Sequence, residues 1–200
     1  MKSLLVIIFG YLLGSIPTGV LIVRRIKPEI DLRSIGSGNI GATNVSRALG
    51  IKWGVATMIG DCLKGLFPVL FAKWIEAAPA AVILTGMAAF LGHIYPVFLQ
   101  FKGGKGVATA FGVFLGISPA PALMAFFIWA SSAYIAGSTA IGALSAAMAI
   151  PILVIGAAPR GPFRSFAIIA SFGLAIIVFY THRENIHKII RGDLKVRKSA

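Results

Sequence analysis

The chain has 200 residues, 58% of them hydrophobic and only 12% charged, with a mean hydropathy of +0.90. Soluble domains carry roughly a quarter charged residues, so a chain this poor in charge cannot cover a globular surface, and an integral membrane protein is the class that remains. A net charge of +13 raises nucleic acid as a partner, but the basic residues stand at the ends of apolar runs, where the positive-inside rule puts them, so none is expected.

The first apolar run, Leu4–Val23, is longer than the core of a signal peptide and no A-x-A-like site follows it, so it reads as a membrane span. Further spans are expected at Trp53–Trp74, Ala80–Leu99, Val107–Ile117, Ala120–Ala136, Thr139–Ala157 and Phe163–Tyr180. A span needs about 20 residues, and Val107–Ile117 falls short of that. It either merges with its successor or pairs with it as a hairpin at "ISPAP". The fold class is therefore an all-α polytopic bundle of seven transmembrane helices, with five spans as the alternative, in a single domain over 1–200. Arg24, Arg25, Lys27, Arg33, Arg47 and Lys52, then Lys102 and Lys105, then Arg183, Lys188, Arg191, Lys195, Arg197 and Lys198 all fall on one side of it. That side should be cytoplasmic, with the N-terminus outside and the C-terminus inside.

Three polar segments lie on that face. "SIGSGNIGATNVSRALG", from Ser34 to Gly50, gathers Ser37, Asn39, Thr43, Asn44 and Arg47 among glycines. Glycines let backbone N–H groups approach a ligand and form anion-binding nests. "FKGGKGVATA" follows at Phe101. It is not a Walker A motif, because no Ser or Thr follows the lysine and a span, not a strand, precedes it. It still offers expected free N–H groups from Gly103, Gly104 and Gly106, a point charge from Lys105, and the positive end of a helix starting near Val107. "THRENIHKIIRG" places His182 and Asn185 three apart, on one helix face, and lets Glu184 reach Lys188. Inside the second apolar run, Asp61 and Lys64 are spaced to pair; ionisable residues there mark function or an internal ion pair. His93 stands near the inner end of the third run, and Ser138 and Thr139 at the turn between the fifth and sixth. No carboxylate or Cys/His cluster suggests a metal, and Cys62, the single cysteine, excludes an internal disulfide. One phosphate does not need three such segments; two phosphorylated substrates, one of them hydrophobic, would.

"GSGNIGATN" with Arg47, "DCLKG", "GHIYPVFLQFKGGKGVAT" and "HRENI" together resemble the bacterial acyl-phosphate:glycerol-3-phosphate acyltransferase family. The resemblance runs from the first span to the tail. It implies transfer of a fatty acyl group from acyl phosphate to the 1-hydroxyl of glycerol 3-phosphate, giving lysophosphatidic acid and phosphate at the cell (inner) membrane, without a cofactor or obligate protein partner. It also implies catalytic roles for Ser37, Arg47, Lys105, His182 and Asn185. Substrate contacts fall to Asn39, Thr43, Asn44, Lys64, Gly103, Gly104, Gly106 and Ser138, and structural roles to Asp61 and Glu184. Thr181 and Ala136 depart from the family's frequent arginine and serine. For the base, His182 and a substrate phosphate compete; the phosphate is favoured, as no Ser-His-Asp set is visible. The competing class is a permease for a phosphorylated solute, against which the polar motifs sit at one face and no inverted repeat is apparent.

Overall fold

The computed structural model describes residues 2–193, which leaves the expected tail cations Lys195, Arg197 and Lys198 outside the described residues. Among the described residues the structure is helical and contains no strand. Contacts divide the chain after Gly116 into two compact units.

In the first unit, the run expected as one span is broken. α1 (Lys2–Gly14) and α2 (Thr18–Ile26) are separated at residues 15–17. Pro17 has no N–H to continue the ladder, and the Ser15 hydroxyl turns back to the Tyr11 carbonyl at 2.8 Å. α3 (Ala42–Leu49) and α4 (Ile51–Trp74) follow, joined at Gly50, whose φ of +92° suits a residue without Cβ. α5 (Pro79–Ile94) opens on Pro79, and a 3-10 turn, Val97–Leu99, leads to α6 (Val107–Ile117). Small residues bring these helices close, as between membrane helices generally. A Cβ on Gly14 of α1 would overlap the Ala89 backbone of α5, and one on Gly112 of α6 would overlap the Cys62 carbonyl of α4. The Lys73 ammonium donates to the Gly116 carbonyl at 2.6 Å, closing the C-terminal end of α6.

The second unit contains α7 (Pro119–Ile135), α8 (Thr139–Ala157), α9 (Arg164–Thr181) and α10 (Arg183–Ile190). α7 and α8 pack side by side. Their turn is closed by the Ser138 N–H donating to the Ala133 carbonyl at 3.0 Å.

Among the described residues, five helical segments are long and apolar enough to cross a membrane: Lys2–Ile26, Ile51–Trp74, Pro79–Leu99, Thr139–Ala157 and Arg164–Thr181. Val107–Ile117 and Pro119–Ile135 are apolar but shorter. Each of the seven expected runs contains helix, with the first broken at residues 15–17 and the third at 95–96. The difference lies in length: the 11 residues of α6 span only about 16 Å at 1.5 Å per residue. Large apolar side chains such as Ile59, Phe67, Ile152, Ile169 and Ile176 point outward, as suits helices whose solvent is hydrocarbon rather than water.

Candidate active site

The polar loop between α2 and α3 is anchored by a small core of Val23, Leu32, Ile40 and Val45. Asn44 organises it from the first turn of α3. Its amide nitrogen donates to the carbonyls of Leu32 and Ile35 at 2.8 and 3.1 Å, and its amide oxygen accepts the Ser37 N–H at 3.2 Å. Asn44 is 1% exposed. Expected as a substrate contact, its polar atoms here bond the loop backbone. Gly36 (φ +55°) lies under the Asn44 amide and the Arg47 side chain, where a Cβ would overlap Asn44 and sit 3.3 Å from Arg47 Cδ. The Asn39 amide oxygen accepts the Gly41 N–H at 2.9 Å, just before α3. Held in this way, the loop leaves Ser37 exposed, and Thr43 and Arg47 are exposed on α3.

The glycine turn behaves differently from expectation at its first two residues. The Gly103 N–H donates to the Ile94 carbonyl at 3.0 Å and the Gly104 N–H to the His93 carbonyl at 3.1 Å. These amides are therefore spent on the end of α5 and are not free for an anion. The first hydrogen bond inside α6 runs from Ala110 N–H to the Gly106 carbonyl at 2.7 Å, which leaves the N–H groups of Val107 and Ala108 without an i−4 partner. The amides without an intrahelical partner are thus those at the start of α6 rather than those of Gly103 and Gly104. Gly106, at φ +81°, makes the turn into the helix beside the Phe90 ring. Lys105 is half-buried. The Arg33 guanidinium donates to the Lys102 carbonyl at 2.6 Å and ties the polar loop to this turn.

Beneath them, Asp61 and Lys64 of α4 form the expected pair at 2.8 Å. The Lys64 ammonium also donates to the Ile16 carbonyl at 2.7 Å, at the break between α1 and α2. Lys64, expected as a substrate contact, is buried, and here its charge meets the Asp61 carboxylate and the helix break. His93 joins this cluster, with Nδ1 3.6 Å from Asp61 Oδ1 and 3.0 Å from Thr109 Oγ1.

In the second unit, His182 caps α9 and is 3% exposed. Its Nδ1 lies 2.9 Å from the Val178 carbonyl. A carbonyl only accepts, so Nδ1 carries the proton and Nε2 is the basic nitrogen of the neutral ring. Asn185 is half-buried on the first turn of α10 and Glu184 is exposed. Among the described residues no ion pair joins Glu184 to Lys188, contrary to expectation. Arg183 stacks on the Tyr180 ring, 4.6 Å from its centroid, and donates to the Tyr180 carbonyl at 3.1 Å. Ser138 stands at the N-cap of α8 without a side-chain cap bond.

The family described as glycerol-3-phosphate acyltransferase matches residues 4–192. The chain belongs to the glycerol-3-phosphate acyltransferase family. A relative from Geotalea daltonii, named glycerol-3-phosphate acyltransferase, is 48% identical over 199 residues, covering 99% of this chain and 100% of the relative. One from Geobacter sulfurreducens, named in the same way, is 45% identical over 96% of each chain. Among solved structures, PlsY, an integral membrane glycerol 3-phosphate acyltransferase, matches in its glycerol 3-phosphate form with a TM-score of 0.88 at 38% identity, over 96% of this chain and 94% of that one. Its lysophosphatidic acid form matches with a TM-score of 0.86 at 37% identity.

In this member of the glycerol-3-phosphate acyltransferase family, the first unit brings Ser37 and Asn39 of the polar loop together with Asn44 and Arg47 of α3, and Arg33 joins that loop to the Lys105 turn. Sequence reasoning missed Arg33 as a tie, having counted it only as a topological charge. It also missed Thr109 and the place of His93 in the buried cluster. The signal for the latter was present: "GHIYP" and "GGKGVAT" flank a connection short enough to fold back on itself.

Proposed function

We propose that the protein transfers a fatty acyl group from acyl phosphate to the 1-hydroxyl of glycerol 3-phosphate, releasing inorganic phosphate and lysophosphatidic acid. The observation that carries this reading is the match, over 96% of the chain, to PlsY in forms described by a substrate and a product, glycerol 3-phosphate and lysophosphatidic acid.

The chemistry needs little covalent help. The 1-hydroxyl oxygen attacks the acyl carbonyl carbon, the carbon–oxygen bond to phosphate breaks, and the hydroxyl proton leaves with that phosphate. The obstacle is charge: two dianions about 6 Å apart repel by roughly 3 kcal/mol even at a water-like dielectric. Arg47 supplies a planar fork for one phosphate and Lys105 a point charge for the other. The first-turn N–H groups of α6 add the positive end of a helix. Ser37 and Asn39 on the polar loop and Thr43 on the first turn of α3 serve as hydrogen-bonding groups for substrate, and His182 and Asn185 of the second unit serve as further substrate-binding groups. Ser138 contributes from the α7–α8 turn. Gly103, Gly104 and Gly106 shape the approach, while Asn44, Asp61, Lys64 and Glu184 hold structure. A substrate phosphate, with a second pKa near 6, serves as base; His182, with its Nδ1 proton given to Val178, orients a substrate through Nε2. Positioning of this kind supplies roughly 7–11 kcal/mol in favourable cases.

The protein is a seven-helix bundle of a bacterial inner membrane with the N-terminus outside, and each of the three polar segments faces the cytoplasm. The basic residues of the loops support that orientation. The test is product formation. Purified protein in detergent, given acyl phosphate and labelled glycerol 3-phosphate, should form lysophosphatidic acid and phosphate in equal amounts. Uptake of label into liposomes without acylated product would mean a permease instead.

A further inference from the structure

Asp61, Lys64, His93 and Thr109 form a buried polar cluster in otherwise apolar packing, and the proposed reaction uses none of them. Such groups are costly in a membrane protein and persist when they do something specific. Lys64 is bound from two sides, by Asp61 and by the Ile16 carbonyl. His93 is bound from three. Its Nδ1 edge faces Thr109 Oγ1 at 3.0 Å and Asp61 Oδ1 at 3.6 Å. Its Nε2 edge lies against Gly104, where a Cβ would overlap the ring nitrogen and stand 3.1 and 3.2 Å from the neighbouring ring carbons. Its own carbonyl accepts the Gly104 N–H at 3.1 Å.

We propose that His93 is a positioning residue for the glycine turn: Asp61 and Thr109 fix its ring, and the ring with its carbonyl sets where the turn carries Lys105 and the start of α6. At 5% exposure His93 does not reach the substrate itself. The inference rests on reading that turn as the glycerol 3-phosphate site. Thr109 lies in the first turn of the same helix, so a shift of the ring is felt at both ends of residues 103–109. A misplacement of about 1 Å is enough to cost a large factor in rate or affinity.

The role predicts a selective effect that a merely structural one does not. Full-length protein in detergent is compared with Thr109→Val, Thr109→Ser and His93→Gln, measuring kcat, KM for each substrate, and Kd for glycerol 3-phosphate by calorimetry. Thr109→Val and His93→Gln should raise Kd and KM for glycerol 3-phosphate about tenfold and leave KM for acyl phosphate within about twofold. Thr109→Ser, which keeps the hydroxyl, should behave as wild type. Thr109→Val with an unchanged Kd overturns the proposal, and so does an equal loss of affinity for both substrates. If His93→Gln fails to fold, Thr109→Val alone decides. Wild-type protein that binds glycerol 3-phosphate but makes no lysophosphatidic acid overturns the proposed reaction only, and the Kd of Thr109→Val then still decides the role of His93. Wild-type protein that binds no glycerol 3-phosphate overturns both.

Discussion

The Arg33 guanidinium donates to the Lys102 carbonyl at 2.6 Å, across 69 residues of sequence. This bond joins the polar loop that carries Ser37 and leads into α3 with Arg47 to the turn that carries Lys105. A charge-assisted bond of this kind is worth roughly 1.5–3 kcal/mol when sheltered, and less at an exposed site. Arg33→Ala should therefore raise KM for glycerol 3-phosphate by about three- to tenfold with a small change in kcat, read from initial rates. An unchanged KM would mean the two segments are held in register without it.

Asn44 makes three hydrogen bonds from a fully buried position. Asn44→Asp keeps the shape but replaces two donors with acceptors facing the Leu32 and Ile35 carbonyls. Leaving such groups unpaired costs about 1–3 kcal/mol, and more when a charge is buried. The variant should unfold at a lower temperature than wild type and lose activity in proportion. Thermal unfolding in detergent reads the first effect and product formation the second. A variant as stable as wild type would show that the loop does not depend on this amide.

These two residues mark how far the sequence could be read. The apolar runs were legible because span length and composition are local properties. Trp53–Trp74 begins within two residues of the helix observed at Ile51–Trp74. The break at residues 15–17 was not read, because the run Leu4–Val23 carries no charged residue, although Ser15 and Pro17 were signals for it. The glycine turn was recognised as a turn, but its donors were misassigned. Whether a Gly N–H is free depends on which carbonyl folds over it, and here those of His93 and Ile94 do. The reach of Asn44 back to Leu32 and of Lys64 to Ile16 is likewise set by tertiary packing.

The contact between Gly104 and the His93 ring makes a coupling prediction. A methyl on Gly104 would overlap Nε2, so Gly104→Ala should reduce kcat/KM for glycerol 3-phosphate by roughly tenfold or more. Combined with His93→Ala, which removes the overlapped ring, the loss should be smaller than the product of the two single losses. Strict additivity would show that the two residues do not act on each other.

His182 gives Nδ1 to the Val178 carbonyl, which orients the ring. If a substrate phosphate accepts the hydroxyl proton, the acid limb of the pH–rate profile belongs to that phosphate, near pH 6. Stability of the fold plays no part in this limb. Activity should fall as pH drops through that value, because the phosphate becomes protonated and can no longer accept. His182→Gln should lower kcat/KM and keep the limb. A profile that turns flat on the acid side in His182→Gln would assign the base to His182.

Direct transfer also predicts that Ser37, although exposed on the polar loop, never carries the acyl group. Protein incubated with acyl phosphate alone and analysed by intact mass should remain unmodified. A stable acyl adduct on Ser37 would establish a two-step route.

The decisive measurement is the sidedness of the three segments. With Cys62→Ser as background, single cysteines placed at Ser34, Phe101 and Lys188, all exposed positions, are treated with a membrane-impermeant maleimide in intact cells and then in inverted vesicles. All three should be protected in cells and modified in inverted vesicles, as expected of groups that hold two phosphates at one cytoplasmic site. Modification of Lys188→Cys in intact cells, with Ser34→Cys and Phe101→Cys protected, would place the third segment on the opposite leaflet and contradict a shared site.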